Sequence, residues 1–245
     1  MKNILIIGGT KGIGKSIVDN LVDDNNITCL SRNKLDFQHQ NFIHKEFDAL
    51  SDEYPEMDKL DCLIYCPGSI NLKPISTLTL EDFRNDFEIN VMGAVKAIKK
   101  YLPLLKKSLS ASILLFSTVA TKLGMPYHAS VSVAKSGVDG LVKTLGSELA
   151  PKIRINAIAP TITNTDLASK ILRNEKVIEN MIERHPLKKI LSSDEVAKMA
   201  SFLISDDASS ISGQIFNMDA GIVTFKSWYH DKNNQNNINS NVFNF

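Results

Sequence analysis

Lys2-Asn3-Ile4-Leu5-Ile6-Ile7-Gly8-Gly9-Thr10-Lys11-Gly12-Ile13-Gly14 is the stretch whose reading decides the fold. Its unbroken apolar run, Ile4-Leu5-Ile6-Ile7, suits a strand buried on both faces, as in a parallel sheet. After the glycine-rich turn comes a helical pattern with Ile13, Ile17, Val18 and Leu21 on one face. Strand, glycine-rich turn and helix together form the setting of a dinucleotide site. Glycines permit the tight turn and let the backbone approach a pyrophosphate, and the helix N-terminus offers free N–H groups and a positive dipole end. The spacing is G-x-x-x-G-x-G rather than the commoner G-x-G-x-x-G, and a glycine-rich turn without a ligand is the competing reading.

Around this stretch stand 245 residues, 43% hydrophobic and 22% charged, enough to bury one sizeable core. One α/β domain is expected. A net charge of +1 gives no reason to expect nucleic acid or an anionic membrane as a partner. No apolar run approaches the ~20 residues of a membrane helix. Because the chain runs straight into a strand, no signal peptide is expected. Cys29, Cys62 and Cys66 lack metal-ligand spacing and fall in or just after predicted buried strands. They read as reduced thiols of a cytoplasmic protein, with no metal site.

Ile27-Thr28-Cys29-Leu30 reads as a second strand, ending in Ser31-Arg32-Asn33. In a doubly wound sheet this end meets the adenosine ribose, where a carboxylate would favour the free 2′-hydroxyl of NAD. The chain offers Ser31 and Arg32 instead, with Lys11 in the glycine loop as a second cation. Two cations and no carboxylate suit a 2′-phosphate, hence NADP(H). An ordinary surface arginine is the bland alternative for Arg32. Third and fourth strands are expected over residues 41–47 and 60–65, the first followed by Asp48-Ala49 and the second closed by Cys66-Pro67-Gly68. The link between strands two and three, about ten residues, is short for a helical crossover.

A long helical region is expected over residues 79–105, with Leu80, Phe83, Phe87, Val91, Val95 and Ile98 at helical spacing. Asn85 and Asn90 are its notable polar residues, and Pro103 should end or kink it. A fifth strand over 112–116 ends in Ser117-Thr118. Beyond the loop Gly124-Met125-Pro126-Tyr127, a helix should run from about His128 to residue 149, followed by a sixth strand over 153–159 stopped by Pro160. Residues 166–184 read as helical but less apolar, in keeping with a substrate lid over about 163–190. Another helix opens at Ser193, with Ser192 or Ser193 as its cap, and 214–217 give a seventh strand. Residues 226–245 are rich in Asn and cannot bury enough apolar surface to fold alone. A loose tail is expected there, after a single domain over 1–225.

Eight pieces stand in a telling order: Gly8-x3-Gly12-x-Gly14; Asp48 after the third strand; Gly68 closing the fourth; Asn90-Val91-x-Gly93; Ser117-Thr118; Lys135 in the long helix; Arg154-Ile155-Asn156-Ala157-Ile158-Ala159-Pro160; and Gly213-Gln214-x3-Met218-Asp219-x-Gly221. In this the chain resembles the short-chain dehydrogenase/reductase family over about residues 2–221. The resemblance implies a Rossmann-type, doubly wound parallel sheet of about seven strands with helices on both faces. It also implies an oxidoreductase with a nicotinamide cofactor, hydride transfer to a small carbonyl or enoyl substrate, and homodimers or homotetramers built on the two long helices. Cofactor contacts are implied at Gly8, Thr10, Lys11, Gly12, Ile13, Gly14, Ser31, Arg32, Asp48, Ala49, Cys66, Pro67, Gly68, Asn90, Lys135, Pro160, Thr163 and Thr165. By analogy Asp48 binds the adenine amino group, Lys135 the nicotinamide ribose and Thr165 the carboxamide.

The pattern breaks at two positions. The family's proton-donating tyrosine stands four residues before the lysine, and that slot holds Val131. Thirteen residues before it, where the family's serine stands, is Thr118, with Ser117 beside it. The asparagine that usually opens Asn-Asn-Ala-Gly is also missing from Tyr65-Cys66-Pro67-Gly68. Three readings stay open. Enoyl-thioester reductases that resemble this family place a tyrosine seven residues before the lysine, which here is His128, a possible general acid, with Tyr127 next to it. A helix-capping or solvent-facing role is the bland reading of His128. Alternatively, Ser132 or Thr118 relays a proton through water with Asn90 and Lys135. In the third reading the protein binds NADP(H) as a sensor or scaffold without turnover.

Overall fold

The structure, a computed structural model, describes residues 1–225, so the expected Asn-rich tail lies outside the described residues. Strand β1 (Asn3–Ile7) lies inside a seven-stranded parallel sheet, paired on both edges. The others are β2 (Asn26–Ser31), β3 (Phe42–Glu46), β4 (Cys62–Tyr65), β5 (Ala111–Phe116), β6 (Ile153–Pro160) and β7 (Ile215–Met218), in the spatial order β3-β2-β1-β4-β5-β6-β7. Alternation along β1 explains its all-apolar sequence. Ile4 and Ile6 pack with Ile17 and Val18 of helix α1 (Gly12–Leu21) and with Val196, Ala200 and Leu203 of a later helix. Leu5 and Ile7 face the opposite layer, with Val91, Ala94, Ile98, Val138 and Val142. The chain winds one way from β1 through β3 and the other way from β4 onward. Between β1 and β4, therefore, the connections diverge and open a crevice at the carboxyl ends of the strands.

The expected long helical region is three pieces in one continuous run. Helix α2 (Leu80–Phe87) passes into a π-helical turn, Glu88–Met92, and then into α3 (Gly93–Leu105). Thr79 and Asp82 form a capping box at the start. Pro103 does not end the helix, which runs to Leu105; the proline sits inside its last turn. Leu80 is exposed and Phe87 partly so, so the apolar stripe is only partly core. Helix α4 (Ala129–Glu148) begins after His128.

Residues 166–184 are not one helix. Asp166–Ala168 form a single 3-10 turn, and α5 (Glu175–Arg184) starts anew at Asn174, whose side chain accepts from the Val177 N–H at 3.0 Å. An asparagine placed to cap a helix competes with continuing one through it. No residue of α5 is buried. A two-residue parallel ladder, Thr163–Asn164 against Leu191–Ser192, escaped the sequence reading and pins together the two ends of this excursion. Helix α6 (Ser193–Ile204) then starts from a Ser192–Glu195 capping box.

Candidate active site

The glycine turn is tied into the sheet by the Gly8 N–H, which donates to the Leu30 carbonyl at 2.7 Å. A Cβ on Gly14 would lie 2.2 Å from the Gly8 oxygen, so the start of α1 presses against the turn with room for hydrogen alone. Gly12 has φ +51°. Lys11, in the N-cap position, puts no side-chain hydrogen bond on the first turn of α1, which leaves that turn's N–H groups for a ligand. Thr10 and Ile13 complete the loop. A bare helix N-terminus over a glycine turn fits the pyrophosphate of a nicotinamide dinucleotide.

At the end of β2, Ser31 is buried and its hydroxyl meets the Asn33 carbonyl at 3.0 Å and His44 Nε2 at 2.9 Å. Arg32 and Lys11 are exposed, and neither has an ion-pair partner among the described residues. His44, on β3, is an addition to this corner that spacing along the sequence does not reveal. Asp48 folds into a local turn, with Oδ1 accepting from the Leu50 N–H at 2.9 Å, and Ala49 is buried beside it.

At the ends of β4 and β5 the second half of the site converges. Lys135 is buried, and its Nζ donates to the Phe116 carbonyl at 2.7 Å. Burial lowers its pKa to about 8, with Cys66, Asp139 and Asp86 acting in the opposite direction. Seen from Gly68, a Cβ would meet Asn90 Oδ1 at 3.2 Å and Lys135 Nζ at 3.4 Å, so an acceptor and a cation approach one point. Asn90 sits in the π-helical turn. Tyr65, the last residue of β4, fixes that turn: its hydroxyl donates to the Ile89 carbonyl at 2.7 Å. It reaches there because Gly93 has no side chain; a Cβ would lie 2.0 Å from the tyrosine oxygen. Cys66 and Pro67 line the path from β4 to Gly68, both within 3.4 Å of a Cβ on Gly8. Burial raises the Cys66 thiol far above its ordinary range.

Ser117, next to the Phe116 carbonyl, is buried with no hydrogen-bond partner for its hydroxyl among the described residues. Thr118 Oγ1 accepts from the Ala120 N–H at 3.3 Å, which leaves the hydroxyl proton free. Val131 occupies the tyrosine slot and is 5% exposed. His128 and Tyr127 line a cavity of about 600 Å³ with Lys73, Thr121, Lys122 and Ser132. His128 Nδ1 contacts the Pro126 carbonyl at 2.7 Å. A carbonyl only accepts, so Nδ1 carries the proton and Nε2 is left for other work. Tyr127 is 60% exposed, with φ +68°. Lys135, Asn90 and Ser117 do not line this cavity, so it does not bring His128 and Tyr127 together with the lysine–asparagine pair.

The segment after Pro160 returns to the glycine loop. Thr163 Oγ1 donates to the Thr161 carbonyl at 3.0 Å, and the Thr165 side chain lies against Gly12. Buried His185 at the end of α5 meets Thr161 Oγ1 at 2.8 Å. Tyr65, His44, and Asp86 with Ser69, whose hydroxyl donates to Asp86 Oδ1 at 2.5 Å, are the members that sequence reading missed. Only Tyr65, a polar end to an apolar strand, left a hint.

No helix among the described residues is long and apolar enough to cross a membrane. Residues 10–223 match the family described as enoyl-(acyl carrier protein) reductase. A 3-oxoacyl-(acyl-carrier-protein) reductase of Buchnera aphidicola subsp. Baizongia pistaciae is 27% identical over 242 residues, 90% of this chain and 97% of that protein. A tropinone reductase homolog of Datura stramonium is 31% identical over 241 residues, 89% of this chain and 90% of its own. The solved structure of ElxO with NADP bound shares 26% identity and a TM-score of 0.84, over 92% of this chain and 100% of that one. A sheet of this order, a glycine turn of this geometry and these matches over nine-tenths of the chain agree: the chain belongs to the short-chain dehydrogenase/reductase family of NAD(P)-dependent oxidoreductases.

Proposed function

We propose that this protein is an NADP(H)-dependent reductase of a small carbonyl or conjugated enoyl substrate, with His128 in place of the family's tyrosine. The observation that carries the reading is the approach of Lys135 Nζ and Asn90 Oδ1 to one point over Gly68, at the mouth of the crevice. The nicotinamide, when bound, supplies or accepts the hydride. Everything else falls to the chain. Gly8, Thr10, Gly12, Ile13 and Gly14 hold the pyrophosphate; Asp48, Ala49, Cys66 and Pro67 flank the adenosine side and the strand ends; Pro160, Thr163 and Thr165 close over the nicotinamide side. Arg32 and Lys11, free of internal ion pairs among the described residues, pair with the 2′-phosphate. Thr118 and Ser117 orient the substrate oxygen by donated hydrogen bonds. His128, its Nδ1 held by Pro126, delivers a proton from Nε2 when charged; Tyr127 is the neighbouring donor.

The poorly buried excursion at residues 163–190, closed at its neck by the short ladder, suits a lid over the substrate. Phe87, Val133 and Leu80 leave an apolar face on the packed α2–α4 pair, which suits self-association into a homodimer or homotetramer. One observation favours a second reading, an NADP(H)-binding sensor or scaffold: the proton-donor slot is filled by buried Val131.

Fluorescence titration with NADPH and NADH, followed by turnover on ketones and enoyl thioesters, tests both. Tight NADPH binding with turnover that His128→Ala cuts at least tenfold, NADPH affinity unchanged, supports the reductase. Tight binding without turnover across both panels supports the sensor. His128→Ala as active as the parent overturns the histidine assignment.

A further inference from the structure

The site contains a buried hydrogen-bond chain whose polarity can be worked out group by group. Asn90 Nδ2 donates to the Asp86 backbone carbonyl at 2.7 Å and lies 3.0 Å from Ser69 Oγ. Because a carbonyl has no proton to give, the nitrogen of the amide is the atom on this side. The amide oxygen must therefore point the other way, toward the space over Gly68 that Lys135 Nζ also approaches. Ser69 has one proton, and it goes to Asp86 Oδ1 at 2.5 Å. Its lone pairs are left to accept from Asn90. Carboxylate, hydroxyl and amide thus fix one another in sequence.

The carboxylate that starts the chain stands where packing alone would favour an apolar side chain. Asp86 is 2% exposed, one helical turn before Asn90, and its Oδ2 has no hydrogen-bond partner among the described residues. Asn90 Oδ1 is likewise without one. A buried, half-satisfied carboxylate costs stability.

We propose that Ser69 and Asp86 are positioning residues: Asp86 orients the Ser69 hydroxyl, Ser69 orients the Asn90 amide, and the amide oxygen with the Asp86 charge presents an electron-rich face to Lys135 over Gly68. The inference rests on reading Lys135 and Asn90 as the cofactor-side pair. Burial acts most strongly on Lys135, followed by Cys66 after β4, Asp139 on α4 and Asp86 on α2, and its Nζ donates to the Phe116 carbonyl of β5.

The test is the titration of Lys135 in the free protein, read by NMR of 13Cε-labelled lysine and assigned by its loss in Lys135→Arg. Asp86→Asn keeps the shape and removes the charge, and should lower the Lys135 midpoint by about half a unit or more. NADPH titration provides the second readout. Ser69→Ala, at a half-buried position that tolerates truncation, should weaken NADPH roughly two- to tenfold, and Ser69→Thr, which keeps the hydroxyl, should restore it. A parent that binds NADPH, together with an unmoved Lys135 midpoint in Asp86→Asn and unchanged affinity in Ser69→Ala, overturns this inference alone. A parent that binds no NADPH overturns the cofactor reading and this inference with it.

Discussion

Gly12 and Thr165 touch across the crevice: a Cβ on Gly12 would stand 3.2 Å from Thr165 Cγ2 and 3.3 Å from Thr165 Cβ. The first helix and the segment leaving β6 are 153 residues apart at this contact, yet they form two walls of one site. The glycine has a second reason to be there, its φ of +51°. Strain and contact can be separated. Gly12→Ala should destabilise the chain by about 1–2 kcal/mol from the left-handed backbone and add a steric component on top. Gly12→Ala with Thr165→Ser should recover only the steric part. Urea unfolding of the four proteins of this cycle checks it; purely additive losses would show that the two side chains do not press on each other.

Arg32 discriminates between the two nicotinamide cofactors if the 2′-phosphate lies at the end of β2. Arg32→Ala should weaken NADPH by roughly tenfold, the worth of one charge-assisted hydrogen bond, and leave NADH within about twofold. Calorimetric titration of both cofactors decides. Equal losses would move the phosphate away from Arg32.

Lys135 should cost the protein stability while serving the site. Burial lowers its pKa from 10.5 to about 8, so the folded state carries its charge at a penalty the unfolded state lacks. Below pH 8 both states are protonated and the penalty is full. From about 8 to 10.5 the unfolded chain holds more protons than the folded one, and stability rises with pH. Lys135→Met should therefore be more stable than the parent at pH 7, by up to about 3 kcal/mol, and the advantage should shrink as pH climbs past 8. NADPH affinity should fall in the same variant. Denaturant midpoints at pH 7 and pH 10 suffice; a variant less stable than the parent at pH 7 would mean that the Phe116 hydrogen bond outweighs the burial of charge.

Ser192 has two duties, as the cap of α6 and as the last residue of the short ladder at the neck of the excursion. Ser192→Ala should cost about 1 kcal/mol through the lost capping box. Glu195→Gln, which keeps the reach of the side chain but not its charge, should cost less. Equal and negligible losses in thermal unfolding would show that the ladder, not the cap, starts the helix.

The architecture was legible because its signals are local. Ile4-Leu5-Ile6-Ile7 followed by the glycine turn allows few other arrangements, and β4 and β5 show equally plain apolar runs. Lys135, Asn90 and Gly68 were legible through the order of the pieces. What stayed hidden depends on partners distant in sequence. That Asp86 is buried follows from α2 packing on α4, and its bond to Ser69 from where the loop after β4 lies. Pro103 was expected to end or kink its helix, but α3 runs two residues past it, to Leu105; the missing N–H costs one internal hydrogen bond, which the packing of the rest of the helix outweighs. Residues 166–184 carry helix-forming composition throughout, and only the Asn174 side chain, bonded to the Val177 N–H, says where the helix begins.

The π-helical turn at Glu88–Met92 can be regarded as one surplus residue lodged in an otherwise regular rod. Each residue of an α-helix advances the side-chain direction by about 100°. Removing Glu88 or Ile89 would let the rod close into an unbroken α-helix and would swing Asn90 out of register with Lys135. Such a shortened protein should fold at least as readily as its parent and bind its dinucleotide poorly. Tyr65 and Gly93, which accommodate the surplus residue, thus preserve an irregularity that the helix by itself would discard.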